Sequence, residues 1–124
     1  MQLIDANAVL RYLLNDNDEM ANRVCGLLEN TKVNIRYEVV AEVVYVLAKV
    51  YMLPRNEIAD GLRDFLSLGN VEAEAEDVLL SALQTFTKTS MDFVDCVLYG
   101  FRLVQGYDVF TFDKKLLSMM QKLT

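Results

Sequence analysis

The spacing of hydrophobic residues along the chain predicts a series of helices separated by short strands. Between Ala6 and Leu14 the apolar residues recur at helical spacing, and the apolar pair Leu3-Ile4 before them is typical of a short strand. The same pattern predicts helices over 16–29, 36–52, 55–68, 76–88, 92–105 and 114–123. Further strands are predicted over 32–35, 71–74 and 107–112.

This alternation of strands and helices indicates an α/β fold with three layers, in which a central, mostly parallel sheet has helices on both faces. The chain has 124 residues, so a single domain over residues 1–124 is expected. Pro54 limits one helix and begins the next, and Gly106 is placed to end the helix over 92–105. Ligands of such sheets bind beyond the carboxyl ends of the strands, so chemistry is expected at that edge.

The sequence contains no histidine, which excludes Ser-His-Asp and Cys-His catalytic sets and His-ligated zinc. Enzymatic chemistry would therefore depend on carboxylates, hydroxyls, amines or a bound ion. The formal net charge is −6, so the broad basic surface that binds nucleic acid non-specifically is missing. A polyanionic ligand would need local help, such as a metal ion.

Cysteine usage and the N-terminal sequence both favour an intracellular protein. Cys25 and Cys96 lie among apolar residues, where free thiols behave as small buried hydrophobes. The first residues lack the pattern of a signal peptide, and no apolar run reaches the roughly 18 residues of a membrane span. We therefore expect a soluble, cytoplasmic protein with no membrane partner.

Two aspartates follow predicted strands. Asp5 ends the first strand, and Asp113 comes just after the last one, in Thr111-Phe112-Asp113. A parallel sheet would bring both carboxylates to the same edge, although each aspartate is also well placed to cap the helix that follows it. Nearby, Asn7 and Thr111 are either hydrogen-bond partners for such a site or ordinary residues of a helix and a strand.

Glu42 is the only charged residue between positions 39 and 48, in a segment that otherwise resembles core. A buried carboxylate there would need a cation, a hydrogen-bond partner or a metal, because an unpaired buried charge is costly. The spacing of Glu38, Glu42, Tyr45 and Lys49 supports a second interpretation, in which these residues form a solvated stripe on a core helix.

Asp92 and Asp95 are three residues apart and share one face of a predicted helix. One of them could cap the helix while the other binds a ligand, or Asp92 at the N-cap and Asp95 in the first turn could both be structural. If Asp5, Glu42, Asp95 and Asp113 came together, their mutual repulsion would raise some pKa values. A hard divalent cation that prefers oxygen ligands, Mg²⁺ or Mn²⁺, would resolve that repulsion.

Four segments of the sequence resemble the conserved blocks of PIN-domain (PilT N-terminus) proteins. These segments are Ile4-Asp5-Ala6-Asn7-Ala8-Val9-Leu10, Ala41-Glu42-Val43-Val44-Tyr45-Val46-Leu47, Asp92-Phe93-Val94-Asp95-Cys96-Val97-Leu98 and Val109-Phe110-Thr111-Phe112-Asp113. They occur in the order of the family and together cover nearly the whole chain. The likeness is to small prokaryotic members of the VapC-type toxin group.

This resemblance implies a Mg²⁺- or Mn²⁺-dependent ribonuclease that leaves 5′-phosphate and 3′-hydroxyl ends. It also implies the toxin of a type II toxin–antitoxin pair, a homodimer that a cognate antitoxin protein holds inactive. The metal-binding and catalytic acids implied by the family pattern are Asp5, Glu42, Asp95 and Asp113. The supporting polar residues that it implies are Asn7, Asp92 and Thr111.

Two other functions remain open at the level of sequence. A non-catalytic PIN-like module for protein interaction predicts the loss of at least one of the four acids, and all four are present. A receiver-like domain with a Mg²⁺-dependent phosphoacceptor would need an adjacent acidic pair after the first strand. Here Asp5 is followed by Ala6 and Asn7.

Overall fold

A computed structural model describes residues 1–123 and divides the chain into two compact units, with the boundary between Glu74 and Ala75. We call residues 1–74 unit 1 and the residues from Ala75 onward unit 2. The elements of unit 1 are β1 (Gln2–Leu3), α1 (Ala6–Leu14), α2 (Asp18–Asn30), β2 (Val33–Ile35), α3 (Tyr37–Lys49), α4 (Arg55–Leu66) and β3 (Val71–Ala73). The elements of unit 2 are α5 (Glu76–Lys88), α6 (Phe93–Gln105) and α7 (Lys114–Gln121).

The sheet of unit 1 has three parallel strands in the order β1-β2-β3. Val33 of the central strand is in register with Gln2 on one side and with Val71 on the other. Each parallel connection passes through a pair of helices, α1 and α2 between the first two strands and α3 and α4 between the last two, because parallel strands need a long crossover. The prediction of an α/β fold with a parallel sheet is confirmed.

The core of unit 1 forms where helix stripes cover the central strand. Val33 and Ile35 are fully buried, and α3 contributes a buried stripe of valines and Leu47. The ring of Phe65 on α4 also packs edge-on against the ring of Tyr12 on α1, with the centroids 5.5 Å apart. Burial of these apolar side chains holds the helices on the sheet.

Backbone conformation explains where several helices end. The predicted helix over 36–52 stops at Lys49, and Met52 adopts the left-handed conformation with φ of 55°, which a continuing helix cannot accommodate. Pro54 then precedes α4 at its N-cap, as predicted. Gly106 ends α6 with φ of 73°, a conformation that glycine adopts without steric cost.

Helices α5 and α6 of unit 2 pack closely. A Cβ atom added at Gly100 on α6 would lie 3.0 Å from the carbonyl oxygen of Val78 on α5, so only glycine fits there without a shift of the backbone. The rings of Phe86 and Phe93 meet edge-to-face with centroids 5.9 Å apart. Cys96 on α6 is buried, as predicted, and its thiol donates to the carbonyl oxygen of Met91, whereas Cys25 in unit 1 is only half-buried. Neither cysteine forms a disulfide within the described residues.

The predicted strand over 107–112 is wrong, because this segment has no regular secondary structure. Its alternating sequence has strand propensity, but no strand among residues 1–123 pairs with it, and Phe110 and Phe112 are 88% and 87% exposed. Strand formation therefore gains neither ladder hydrogen bonds nor burial here. Asp113 consequently follows an irregular segment and not a strand.

None of the helices in residues 1–123 is both long and apolar enough to cross a membrane.

Candidate active site

Asp5 lies one residue beyond Ile4, the buried residue that follows β1, and is the N-cap of α1. Its Oδ1 atom accepts a hydrogen bond from the backbone N–H of Ala8 at 2.9 Å, so the predicted capping role is confirmed. The side chain is exposed and makes no ion pair with the rest of residues 1–123. One carboxylate oxygen is thus fixed by the helix, and Oδ2 remains available to a ligand.

Asn7 lies with Asp5 on the wall of a pocket of about 400 Å³ in unit 1. The pocket lies between α1 and α2, and it is also lined by the arginines Arg11 and Arg23. The structure therefore brings two of the predicted site residues, Asp5 and Asn7, into one concave surface.

Glu42 is exposed on α3, and Glu38, Tyr45 and Lys49 are exposed with it. The predicted solvated stripe is confirmed, and the interpretation of Glu42 as a buried charge is wrong. The helix period places Glu42 on the face of α3 that is opposite the buried valines, so its carboxylate is in contact with solvent. Glu42 forms no ion pair within the described residues, and its carboxylate is free to bind a cation.

Asp113 is the N-cap of α7, and its carboxylate is oriented by the backbone. Oδ1 accepts a hydrogen bond from the N–H of Leu116 at 2.8 Å, and the N–H of Asp113 donates to Oγ1 of Thr111 at 3.0 Å. The predicted capping role of Asp113 is confirmed. The hydroxyl of Thr111 holds the backbone of Asp113 on the N-terminal side of this cap.

Asp92 and Asp95 occupy the first turn of α6, as predicted. Asp92 is at the predicted N-cap position, but the prediction that its side chain caps the helix is wrong, because it makes no capping hydrogen bond. Asp95 is the third helical residue and is partly exposed. Partial burial, then the carboxylate of Asp113, then that of Asp92 raise the pKa of Asp95 above its usual value. The three carboxylates of unit 2 therefore repel one another.

No lysine or arginine within residues 1–123 forms an ion pair with these three acids. The nearest basic residues in sequence are Lys114 and Lys115, and the ammonium of Lys115 donates to the hydroxyl of Ser90. Among the described residues, the three carboxylates therefore lack a partner in an ion pair.

The donor set fits a hard divalent cation, although neither unit alone gathers three acidic or thiol side chains at metal-binding distance among its described residues. Mg²⁺ is commonly held through one or two carboxylates and keeps several waters, so it does not need a cage of protein ligands. Asp95 and Asp113, which form no ion pair within the described residues, suit that mode of binding. The predicted convergence of all four acids stays a prediction.

Arg23 was not singled out by the sequence. Arg23 shares one face of α2 with three residues that line the same pocket, Met20, Val24 and Leu27. Their spacing of three or four residues is the sequence signal that could have identified Arg23 as a lining residue.

A family model described as PIN domain matches residues 3–121. The chain belongs to the PIN domain family. The match spans both units and includes every predicted site residue from Asp5 to Asp113. No curated protein and no solved structure gives a significant match. PIN domains have a nuclease-type fold, are commonly metal-dependent ribonucleases and usually use divalent metals. The family assignment from the four sequence blocks is therefore confirmed.

Proposed function

We propose that this PIN domain is an endoribonuclease that hydrolyses RNA phosphodiester bonds with Mg²⁺ or Mn²⁺ as its cofactor. The observation that carries the proposal is the environment of Asp95. Partial burial, then the carboxylates of Asp113 and Asp92, raise its pKa, and no described lysine or arginine forms an ion pair with these acids. Such a site is unfavourable for the protein alone and is relieved when a divalent cation binds.

We assign the metal to Asp5, Glu42, Asp95 and Asp113, the four residues that match the acidic positions of the family. A divalent cation held by them would polarise the phosphodiester, activate a water for in-line attack and offset the charge on the leaving oxygen. Asn7, Asp92 and Thr111 have supporting roles in this assignment.

The protein itself orients two of these ligands before any ion binds. In both Asp5 and Asp113, one carboxylate oxygen accepts a hydrogen bond from a backbone N–H at a helix N-terminus. This contact restricts the rotation of the side chain and leaves the second oxygen for the metal. Thr111 holds the backbone of Asp113 through a further hydrogen bond. Preorganised ligands reduce the entropy that is lost on binding.

We further propose that residues 1–124 form one PIN domain, because the family match spans both units. Within the family, the biological role that we favour is that of a VapC-type toxin in the cytoplasm, controlled by an antitoxin protein.

We also propose a homodimer. Unit 2 exposes several large apolar side chains, and contiguous exposed apolar surface often marks a protein interface. Those with the most exposed surface are Val94, Leu103, Tyr107, Phe110 and Phe112.

The proposed activity is tested with purified protein and an end-labelled single-stranded RNA. We expect internal cleavage in Mg²⁺ or Mn²⁺, no cleavage in EDTA, and products with 5′-phosphate and 3′-hydroxyl ends. Cleavage that continues in EDTA, or products with 2′,3′-cyclic phosphates, would contradict a mechanism in which a metal ion activates water.

A further inference from the structure

The pocket between α1 and α2 contains arginines and apolar side chains to which the proposed chemistry gives no role. Its volume of about 400 Å³ lies within the range of small-molecule sites. Asp5 lies on its wall, together with two arginines, and the rest of the lining includes the apolar residues Ala8, Met20, Val24 and Leu27. It thus places guanidinium groups and apolar surface in one concavity, beside the carboxylate of a proposed metal ligand.

The two arginines of the pocket differ in their partners. Nη1 of Arg11 contacts the carboxylate of Asp16 at 2.8 Å, and Nη2 donates to the hydroxyl of Tyr51 at 3.4 Å. The side chain of Arg11 is only 17% exposed, so it is a fixed and largely neutralised part of the wall.

Arg23 is exposed and makes no hydrogen bond or ion pair with any other residue of the described chain. Unit 1 contains twelve acidic and seven basic residues, a formal charge of −5, yet none of these acids pairs with Arg23. Its guanidinium is thus available to an anion from outside the protein. A guanidinium binds a phosphate group through two parallel hydrogen bonds, a geometry that lysine cannot provide.

The face of α2 that carries Arg23 also supplies an apolar surface. Met20, Val24 and Leu27 are spaced three or four residues apart, so they share this face and lie on the same wall of the pocket. A ligand that suits the pocket therefore has an anionic group for Arg23 and a flat or apolar group for this surface. A nucleotide has both.

We propose that this pocket is a nucleotide-binding subsite of the RNA substrate, in which Arg23 binds a backbone phosphate and the apolar face of α2 contacts a base. The inference rests on the proposed function, because it places the RNA strand along Asp5. Arg23 is then a substrate-binding residue, and it supplies local positive charge that the acidic chain as a whole lacks.

The inference is tested by measuring the binding of a fluorescent single-stranded RNA in EDTA, where the proposed metal-dependent cleavage is prevented. Arg23→Gln is expected to weaken binding about tenfold through the loss of the charge-assisted contact between the guanidinium and the phosphate. The slope of log K against log salt concentration should fall in magnitude by about 0.7, the value for one phosphate contact on a single strand. Arg23→Lys, which keeps the charge, should recover part of the affinity.

The matched control is Arg63→Gln. Arg63 is on α4, pairs with Asp60 and does not line the pocket, so the same change of charge should leave RNA binding at the wild-type level. An equal loss of affinity in both variants would mean that only net charge matters and would overturn the proposed subsite.

The apolar surface is tested separately with Met20→Gln, adenosine 5′-monophosphate and inorganic phosphate. We expect Met20→Gln to weaken the binding of the nucleotide and to leave that of phosphate unchanged, while Arg23→Gln weakens both. If neither variant affects RNA or nucleotide binding, the pocket is not a nucleotide subsite, and a protein ligand becomes the better explanation for it.

The outcomes separate this inference from the proposed function. Metal-dependent RNA cleavage by a wild type whose RNA affinity does not depend on Arg23 would reject the subsite alone. Binding of nucleotide that depends on Arg23, in a protein that cleaves no RNA, would reject the nuclease activity alone.

Discussion

Asp95 on α6 has a pKa that is raised by partial burial and, next, by the carboxylate of Asp113 at the start of α7. The ionised carboxylate of Asp95 is therefore less favourable in the folded protein than in the unfolded chain, at a residue that we propose as a metal ligand. Metal affinity is commonly obtained at the expense of the stability of the metal-free fold, because ligands that repel one another are held together by the rest of the structure.

The first prediction concerns the stability of the metal-free protein at different pH values. Because the pKa of Asp95 is higher in the folded than in the unfolded chain, its ionised form destabilises the fold. This cost is present above the folded pKa and disappears as the pH falls below the unfolded value of about 3.9. We expect Asp95→Asn to be more stable than the wild type in EDTA at pH 7, with a difference that shrinks toward pH 4.

Urea unfolding of both proteins at the two pH values measures this difference. A constant difference in the free energy of unfolding, or a variant that is less stable at pH 7, would show that folding does not raise the pKa of Asp95.

The second prediction concerns the response of the fold to metal. An ion that binds only the folded state at about 100 times its Kd adds about 2.7 kcal/mol to the free energy of unfolding. Thermal melts in EDTA and in Mg²⁺ should show this gain for the wild type and a smaller one for Asp95→Asn. Asp64→Asn, which changes an exposed acid of α4 outside the proposed site, should respond as the wild type does. If neither Mg²⁺ nor Mn²⁺ changes the melting temperature of the wild type, the proposed metal site is contradicted.

The parts of the fold that the sequence predicted well depend on local signals. Asp5, Asp113 and Gly106 cap helices because a cap needs only the next few residues or a permitted backbone conformation. The position of Glu42 likewise follows from the helix period alone.

The errors and gaps concern features that depend on distant residues. The segment 107–112 has the composition of a strand, but a strand exists only where another strand pairs with it. Whether the guanidinium of Arg23 can bind an external anion depends on which acidic side chains lie near it in the folded protein. The hydrophobic periodicity of the sequence does not predict those neighbours. The sequence likewise predicted that repulsion would raise some pKa values, but it did not show that partial burial of Asp95, followed by the carboxylate of Asp113, raises the pKa of that residue.

A third prediction tests the close packing of α5 and α6 with a pair of glycine variants. The Cβ of Gly100→Ala would meet the backbone and side chain of Val78 at 3.0 Å and 3.2 Å, whereas nothing lies within 4 Å of a Cβ at Gly26 on α2. Gly100→Ala should cost about 1–3 kcal/mol through overpacking. Gly26→Ala should instead stabilise the protein by about 0.5–1 kcal/mol, the difference in helix propensity.

Urea unfolding of both alanine variants provides the comparison. A Gly100→Ala variant as stable as Gly26→Ala would mean that the two helices are not in close contact at this position.

A fourth prediction concerns self-association. Phe110 and Phe112 are almost fully exposed, so burial of their rings against a second copy would remove a large apolar area from water. Light scattering at micromolar concentration should give the mass of a dimer for the wild type and of a monomer for the double variant Phe110→Ser, Phe112→Ser. Val50→Ser, which changes an exposed apolar residue of unit 1, should remain dimeric. A monomeric wild type, or a double variant that still dimerises, would exclude this surface as the interface.

The capping and metal-binding roles of Asp5 can be separated by two substitutions. Asparagine caps a helix about as well as aspartate, so Asp5→Asn should keep wild-type stability, while Asp5→Ala should lose about 1 kcal/mol. Both variants remove the carboxylate that we propose as a metal ligand, so both are expected to lose RNA cleavage. Urea unfolding and cleavage assays on the same preparations make the comparison.

The rate of RNA cleavage by Asp5→Asn in Mg²⁺ is the most direct test of the account, because this variant preserves the cap and removes only the negative charge. We predict a rate at least about 100-fold below that of the wild type, equivalent to about 2.7 kcal/mol of transition-state stabilisation, with an unchanged free energy of unfolding. Cleavage by Asp5→Asn at the wild-type rate would contradict the assignment of Asp5 to the metal and show that its only role is to cap α1.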